Sequence, residues 1–254
     1  MNSSTTLYKI RPVPAQKHCI AVQGSAGSNA SSPHLLFCGG FHSSMSGTKA
    51  SFLAALCERM GYGYTRFDYR GHGVSDGVFE HCDLHDWLQD TLAVIDDLDR
   101  NLVLIGSSMG AWLATLATIE RPDRIDKLVT IAAAADFTEE LLWPALSTTA
   151  QAELLANETV DLISQYDQSS WPLRMPLFQS GRELSILNKE ECLGVHCPVR
   201  MLHGTNDTDV PWQYSQRLLD KLPPATDATL TLVHKADHRL SDNKSLGLIQ
   251  QAIF

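Results

Sequence analysis

The sequence predicts an α/β protein, a mostly parallel, doubly wound sheet carrying one long insertion that reads as a lid. Three observations predict it. Short apolar runs at 34–38, 102–105 and 199–202 alternate with patterns of helical length, the rhythm of repeated strand–helix units. The run at 102–105 is continuously apolar rather than alternating, as a strand buried on both faces requires. Each of the three runs gives way to a polar, glycine-containing loop at its C-terminal end, where open α/β sheets bind their ligands. At 254 residues and 28.0 kDa, a single domain spanning 1–254 has enough chain for one large core.

In chain order, residues 8–11 and 19–22 read as two short strands that start the sheet in antiparallel fashion. The Gly-, Ser- and Asn-rich stretch 24–33 is a loop. Residues 34–38 form the first strongly buried strand, and Gly39, Gly40 and Phe41 follow at its C-terminal end. A helical pattern then runs over 48–60, and a strand over 64–69. The loop 68–77 (D-Y-R-G-H-G-V-S-D-G) reads as structural, with Asp68 and Arg70 pinning the backbone and Ser75 capping the next segment of chain. His72 precedes the candidate serine in the chain and is the wrong base for the order serine, acid, histidine. Residues 84–100 form an amphipathic helix whose acids at 86, 90, 96, 97 and 99 are expected on a solvated face.

Leu102, Val103, Leu104 and Ile105 then lead into Gly106-Ser107-Ser108-Met109-Gly110, a G-x-S-x-G motif, with a helix expected over 111–118. Strand, sharp turn and helix are the context in which that motif carries a nucleophile. The turn projects the Ser108 hydroxyl above the sheet. Glycines two residues to either side remove side chains that would collide with neighbouring elements. The backbone amide of Met109, at the start of the helix, and that of Phe41, reached through two glycines, are the expected pair of donors to a developing oxyanion.

A strand is expected over 127–134, after which the strand–helix rhythm stops. Residues 136–197, about sixty of them, hold helical patterns at 138–147 and 149–157 and the large apolar groups Trp143, Trp171, Met175 and Phe178. This insertion reads as a lid or cap, with Trp143 and Trp171 lining an apolar pocket. The sheet resumes at 199–202. Asp207 lies just past that strand's end, where an orienting acid belongs, with Asp209 as runner-up. A helix over 211–222, a last strand over 230–233, the loop bearing His238 and a closing helix from 244 complete the chain. A serine hydroxyl needs a base in hydrogen-bond reach and a third group to hold that base. Ser108, Asp207 and His238 each follow a predicted strand, so one sheet edge can bring them together. His234, at the strand end itself, is the rival to His238.

Composition excludes several classes. Acidic residues outnumber basic ones 29 to 20, for a formal charge of -9, which argues against nucleic acid as a partner. No apolar run is long enough to span a membrane. Six cysteines without paired spacing read as reduced thiols, and no metal or cofactor is expected. Residues 1–11 have neither a basic start with an apolar core nor an Arg-rich amphipathic pattern, so the expected location is cytoplasmic.

Gly39-Gly40-Phe41, R-F-D-Y-R-G-H-G-V-S-D-G (66–77), G-S-S-M-G (106–110), H-G-T-N-D-T-D-V-P (203–211) and D-H-R (237–239) together resemble the α/β-hydrolase superfamily over about residues 34–254. Within it, G-T-K (47–49), G-S-S-M-G-A-W-L and the Val210-Pro211-Trp212 run resemble the mitochondrial palmitoyl-protein thioesterases that also cleave acyl glucuronides. The resemblance implies the α/β-hydrolase fold and a serine hydrolase acting on carboxylic esters or acyl thioesters, with the triad on Ser108, Asp207 and His238. The substrate would be a small-molecule ester or thioester, or an acylated protein. A general short-chain carboxylesterase and a non-catalytic ligand-binding protein of the same fold are the alternatives.

Overall fold

β-Branched and leucine-rich runs form the centre of the sheet because both of their faces are covered. A computed structural model describes residues 6–10, 18–28, 32–163 and 170–254, with the backbone alone for residues 6, 162, 163, 170 and 171. Arg11 and residues 29–31 of the expected loop lie outside the described residues. The strands β1 (Thr6–Ile10), β2 (Ile20–Ser25), β3 (His34–Cys38), β4 (Gly63–Phe67), β5 (Leu102–Ser107), β6 (Ile125–Ile131), β9 (Val199–Gly204) and β10 (Ala228–Val233) form one sheet in the order β1-β2-β4-β3-β5-β6-β9-β10. β1–β2 and β2–β4 pair antiparallel, and every pair from β4 onward is parallel. β3 and β5 are buried at every position, whereas the edge strand β10 is not.

Alternation along the central strands feeds two cores. Leu36, Leu102 and Leu104 face a layer that includes α2 (Leu84–Asp97) and α3 (Met109–Glu120). Leu35, Phe37, Val103 and Ile105 face α1 (Thr48–Met60) and α8 (Asn243–Ile253) on the other side. The chain runs from β3 outward to β4, then crosses back to place β5 on the other flank of β3. That reversal separates the loops after β3 and β5, which is where a doubly wound sheet opens a crevice.

The loop after β4 departs in part from expectation. Asp68 does pin it, accepting the amides of Met45 at 2.6 Å and Val74 at 3.0 Å. Ser75 joins strands rather than capping, donating to the Asp68 carbonyl and accepting from the Ala21 amide. Arg70 is fully buried and pairs with Asp90 at 2.6 Å and Asp86 at 2.7 Å. Asp90 is therefore not on a solvated face as expected. It is wholly buried, because Arg70 supplies the charge and the donors that make such burial tolerable.

The segment between β6 and β9 contains a π-helical turn at Thr138–Leu142, a single turn α4 (Trp143–Ala145), α5 (Thr148–Asn157), the antiparallel pair β7 (Thr159–Ile163) and β8 (Ser170–Arg174), and α6 (Met175–Glu183). Pro144 sits in α4 and Pro176 in the first turn of α6, where a missing N–H is tolerated. The helix expected over 138–147 is thus present as far as Ala145, with its first turn π-helical. Both ends of the segment are tied by Asp136, whose buried carboxylate accepts from the Ser185 hydroxyl and from the amides of Ile186 and Leu187. Helix α7 (Gln213–Asp220) lies between β9 and β10. All six cysteines are free, but only Cys38 and Cys57 are fully buried.

Candidate active site

Ser108 occupies a backbone conformation that side chains rarely adopt, φ 57° and ψ −122°. Neighbouring strands hold it there, since its amide donates to the Ile131 carbonyl at 2.9 Å. Close packing explains the flanking glycines: a Cβ on Gly106 would lie 2.3 Å from the Gly110 carbonyl oxygen, and one on Gly110 would lie 2.2 Å from that of Gly39. The strand-to-helix turn and the loop after β3 are therefore locked against each other, with Gly40 packed on the Ser108 Cβ.

The loops after β9 and β10 deliver the other two predicted groups. His238 Nε2 lies 3.0 Å from Ser108 Oγ, and His238 Nδ1 lies 2.7 Å from Asp207 Oδ2. The second Asp207 oxygen accepts the amides of Asp209 and Val210 at 3.0 and 2.8 Å. Burial pushes the Asp207 carboxyl up, but its bonds from His203, His238 and the Val210 amide outweigh that and hold it well below the ordinary carboxylate range. Asp209, the runner-up, is exposed, as is His234. Met109 is buried at the first position of α3, and Phe41 borders the cavity in front of Ser108.

That cavity, about 610 Å³, lies over the Ser108 hydroxyl. Its wall is more polar than the residue pattern suggests, with Ser43, Thr48, Lys49, Asp237 and Arg239 among its residues. Burial lowers the Lys49 ammonium to about 8, with Asp237 working in the opposite sense, and its Nζ donates to the Arg239 carbonyl. Trp143 does not border this cavity. It packs edge-on against Phe178 at 5.3 Å, with the Arg182 guanidinium over its ring, within the inserted segment. Trp171 lies on β8, and its side chain is outside the described residues. His72 is buried among Tyr69, Phe79 and Trp87, and burial lowers it to about 4.

Among the described residues, Asp207, Asp209 and His238 bring one ligand atom each within 4.8 Å of one another. Asp207 already spends both oxygens on four N–H partners, which leaves it poorly suited to a metal ion. Sequence reasoning missed His203, which reaches Asp207 from four residues upstream, and the charged wall of Lys49 and Arg239. The histidine at the end of β9 was visible in the sequence, but its partner was not.

A hydrolase family described as serine aminopeptidase, S33, matches residues 30–180, more than half of the sequence. The chain belongs to this α/β-hydrolase family. The hydrolase is 35% identical to the mitochondrial palmitoyl-protein thioesterase ABHD10 of Bos taurus, over 87% of this chain and 72% of that protein. A crystal structure from Agrobacterium vitis, of a protein described as a candidate hydrolase, superposes with a TM-score of 0.91 at 33% identity, covering 99% of this chain and 100% of that one. The α/β-hydrolase domain-containing protein 10 from mouse superposes with a TM-score of 0.84 at 30% identity, covering 97% and 96%. These likenesses correct one expectation. The mammalian relatives are mitochondrial proteins, so the cytoplasmic location read from residues 1–11 is overturned. A targeting signal is read by composition over a short stretch, and a family's compartment is not encoded in its catalytic domain. Among the described residues, no helix is long and apolar enough to cross a membrane.

Proposed function

We propose that this hydrolase cleaves carboxylic esters or acyl thioesters through an acyl-enzyme on Ser108. The observation that carries the reading is the hydrogen-bonded line Ser108 Oγ, His238 Nε2, His238 Nδ1, Asp207 Oδ2, at 3.0 and 2.7 Å. Ser108 Oγ attacks the acyl carbon as its proton passes to His238 Nε2. Negative charge moves onto the carbonyl oxygen, which the amides of Met109 and Phe41 receive, and such donors contribute several kcal/mol, roughly 3 each. Collapse expels an alkoxide or thiolate, and the proton on His238 goes to it. Water then attacks the acyl-serine with His238 as base, releasing the acid and restoring Ser108. Asp207 keeps the His238 proton on Nδ1 and stabilises the imidazolium.

Likeness to palmitoyl-protein thioesterases supports a long-chain acyl thioester as substrate, and the polar wall of the cavity suits the polar half of such a molecule. The chain is read as one domain, 1–254, with residues 136–197 as the lid that sets acyl preference. That segment leaves the sheet after β6 and returns at β9, beside the loops that carry Ser108 and Asp207.

The test is fluorophosphonate labelling of the full chain, followed by hydrolysis of a short aryl ester, a palmitoyl thioester and an acyl glucuronide side by side. Labelling that vanishes in Ser108→Ala, together with faster thioester turnover, is the expected result. Labelling with turnover confined to short esters would make the protein a general carboxylesterase. A folded protein that neither labels nor turns over any of the three would overturn the hydrolytic reading in favour of a ligand binder.

A further inference from the structure

Two imidazoles grip Asp207, and only one of them touches Ser108. His203, the penultimate residue of β9, is fully buried. Its Nε2 lies 3.0 Å from Asp207 Oδ2 and 2.9 Å from the Val210 carbonyl oxygen. Both partners are acceptors, so Nε2 carries the ring proton and donates it. Nδ1 is then the acceptor for the hydroxyl of Ser215, itself fully buried on α7, at 2.7 Å. The tautomer of His203 is thus fixed by the loop after β9 and by α7, with no contribution from the cavity.

We propose that His203 is a positioning residue for the hydrolysis, its Nε2–H fixing Asp207 Oδ2 at the point where His238 donates and weakening that oxygen's pull on the His238 proton. The inference rests on the serine-hydrolase reading above. An oxygen shared between two N–H donors accepts less strongly from each, as the same lone-pair density is divided between them. Without His203, Oδ2 would bind the His238 imidazolium more tightly and sit less firmly. The base would then stay protonated to higher pH. A residue that only filled space between β9 and α7 would change stability and leave the protonation of His238 alone. One whose loss merely let Asp207 drift away would move it downward.

The experiment compares pH profiles of kcat/KM for a short aryl ester in the wild-type chain, His203→Phe and His203→Gln, with thermal melts to establish folding. Lys49, Asp209, Asp237 and Arg239, the other charged groups lining the cavity at His238, are common to all three. His203→Phe is expected to lose about tenfold in kcat with KM little changed, as removal of an outer hydrogen-bond partner does elsewhere. Its acid limb should move up by about half a pH unit. His203→Gln, whose amide N–H2 offers a donor at similar reach, should return both values toward wild type. An acid limb that stays put or moves down in folded His203→Phe, or a Gln variant no better than Phe, would overturn the proposal. Should His203→Phe fail to fold, His203→Leu, which also removes the Nε2–H donor, is read by the same profile. An upward shift supports the proposal and an unmoved limb overturns it. A wild-type chain that fluorophosphonate does not label would overturn the hydrolase reading and this inference together, whereas a labelled, active wild type with unaltered variants overturns the inference alone.

Discussion

The elbow helix α3 and the inserted helix α5 are of similar length, 12 and 10 residues, yet every residue from Met109 to Thr118 of the first is buried and only Leu154 of the second. One is the floor beneath Ser108 and the other belongs to the segment inserted between β6 and β9. The floor is over-determined: strand pairing, two glycine contacts and the Ile131 carbonyl all fix Ser108, which is why a strained φ persists there. The inserted segment is held by the Asp136 carboxylate, by the Glu140–Arg217 ion pair and by the apolar contacts of Leu154, Val160, Leu173 and Phe178. Geometry that must hold to a fraction of an ångström is met on the first helix, whereas the second exposes most of its residues and is freer to vary.

The largest expected break lies in the floor. Ser108→Ala should cut kcat/KM by at least about a thousandfold and leave the melting temperature nearly unchanged, measured by ester hydrolysis and calorimetry. Asp207→Asn should cost about a thousandfold or more, because the amide presents a donor to His238 or disorders its tautomer, whereas Asp209→Asn, at an exposed rim position, should cost under about tenfold. The reverse ranking would assign the acid to Asp209. Gly110→Ala places a Cβ 2.2 Å from the Gly39 carbonyl oxygen, so a loss of about 3 kcal/mol or outright misfolding is expected in urea unfolding. In the inserted segment, Leu154→Ala should cost about 2–4 kcal/mol and the neighbouring, exposed Leu155→Ala less than about 0.5 kcal/mol. Equal effects would mean that α5 does not dock on the core as described.

The smallest effect separates two buried carboxylates. Both accept backbone amides, but Asp207 adds two imidazole donors and its carboxyl is held low, while at Asp136 burial prevails over its hydrogen bonds and the carboxyl is raised. Linkage sets the signs. Asp207 contributes stability that is complete above its unfolded value of 3.8 and is lost as pH falls through the lower folded value. Asp136, raised, binds its proton more readily when folded, so its contribution to stability grows as pH falls through the folded value toward 3.8. Acid-unfolding curves should therefore flatten in Asp207→Asn and steepen in Asp136→Asn. Slopes of the same sign would refute the assignment of opposite shifts.

Much of the floor was legible because its signals are local. An unbroken apolar run marks a doubly buried strand, and G-x-S-x-G between a strand and a helix specifies a strained turn whatever lies elsewhere, so the expected strand 34–38 and helix 48–60 coincide with β3 and α1. The β7–β8 pair and α6 were missed. Pro172 and Pro176 sit at positions where local patterns suggest interruption, and pairing of β7 with β8 depends on contacts across the intervening residues. Asp90 looked like one more acid on an amphipathic face, and its Arg70 partner lies 20 residues upstream in a loop.

The sequence alone determined the class of the sheet, the elbow and the order serine, acid, histidine, since each depends on neighbouring residues or on the rule that parallel strands end at one edge. Only the tertiary structure decided which carboxylate reaches His238, that a second imidazole shares it, that Trp143 turns away from the cavity, and that charged groups line the wall beside Ser108. Those outcomes rest on distances between residues remote in the chain. Such distances are fixed by packing and strand order, which no local pattern of residue types encodes.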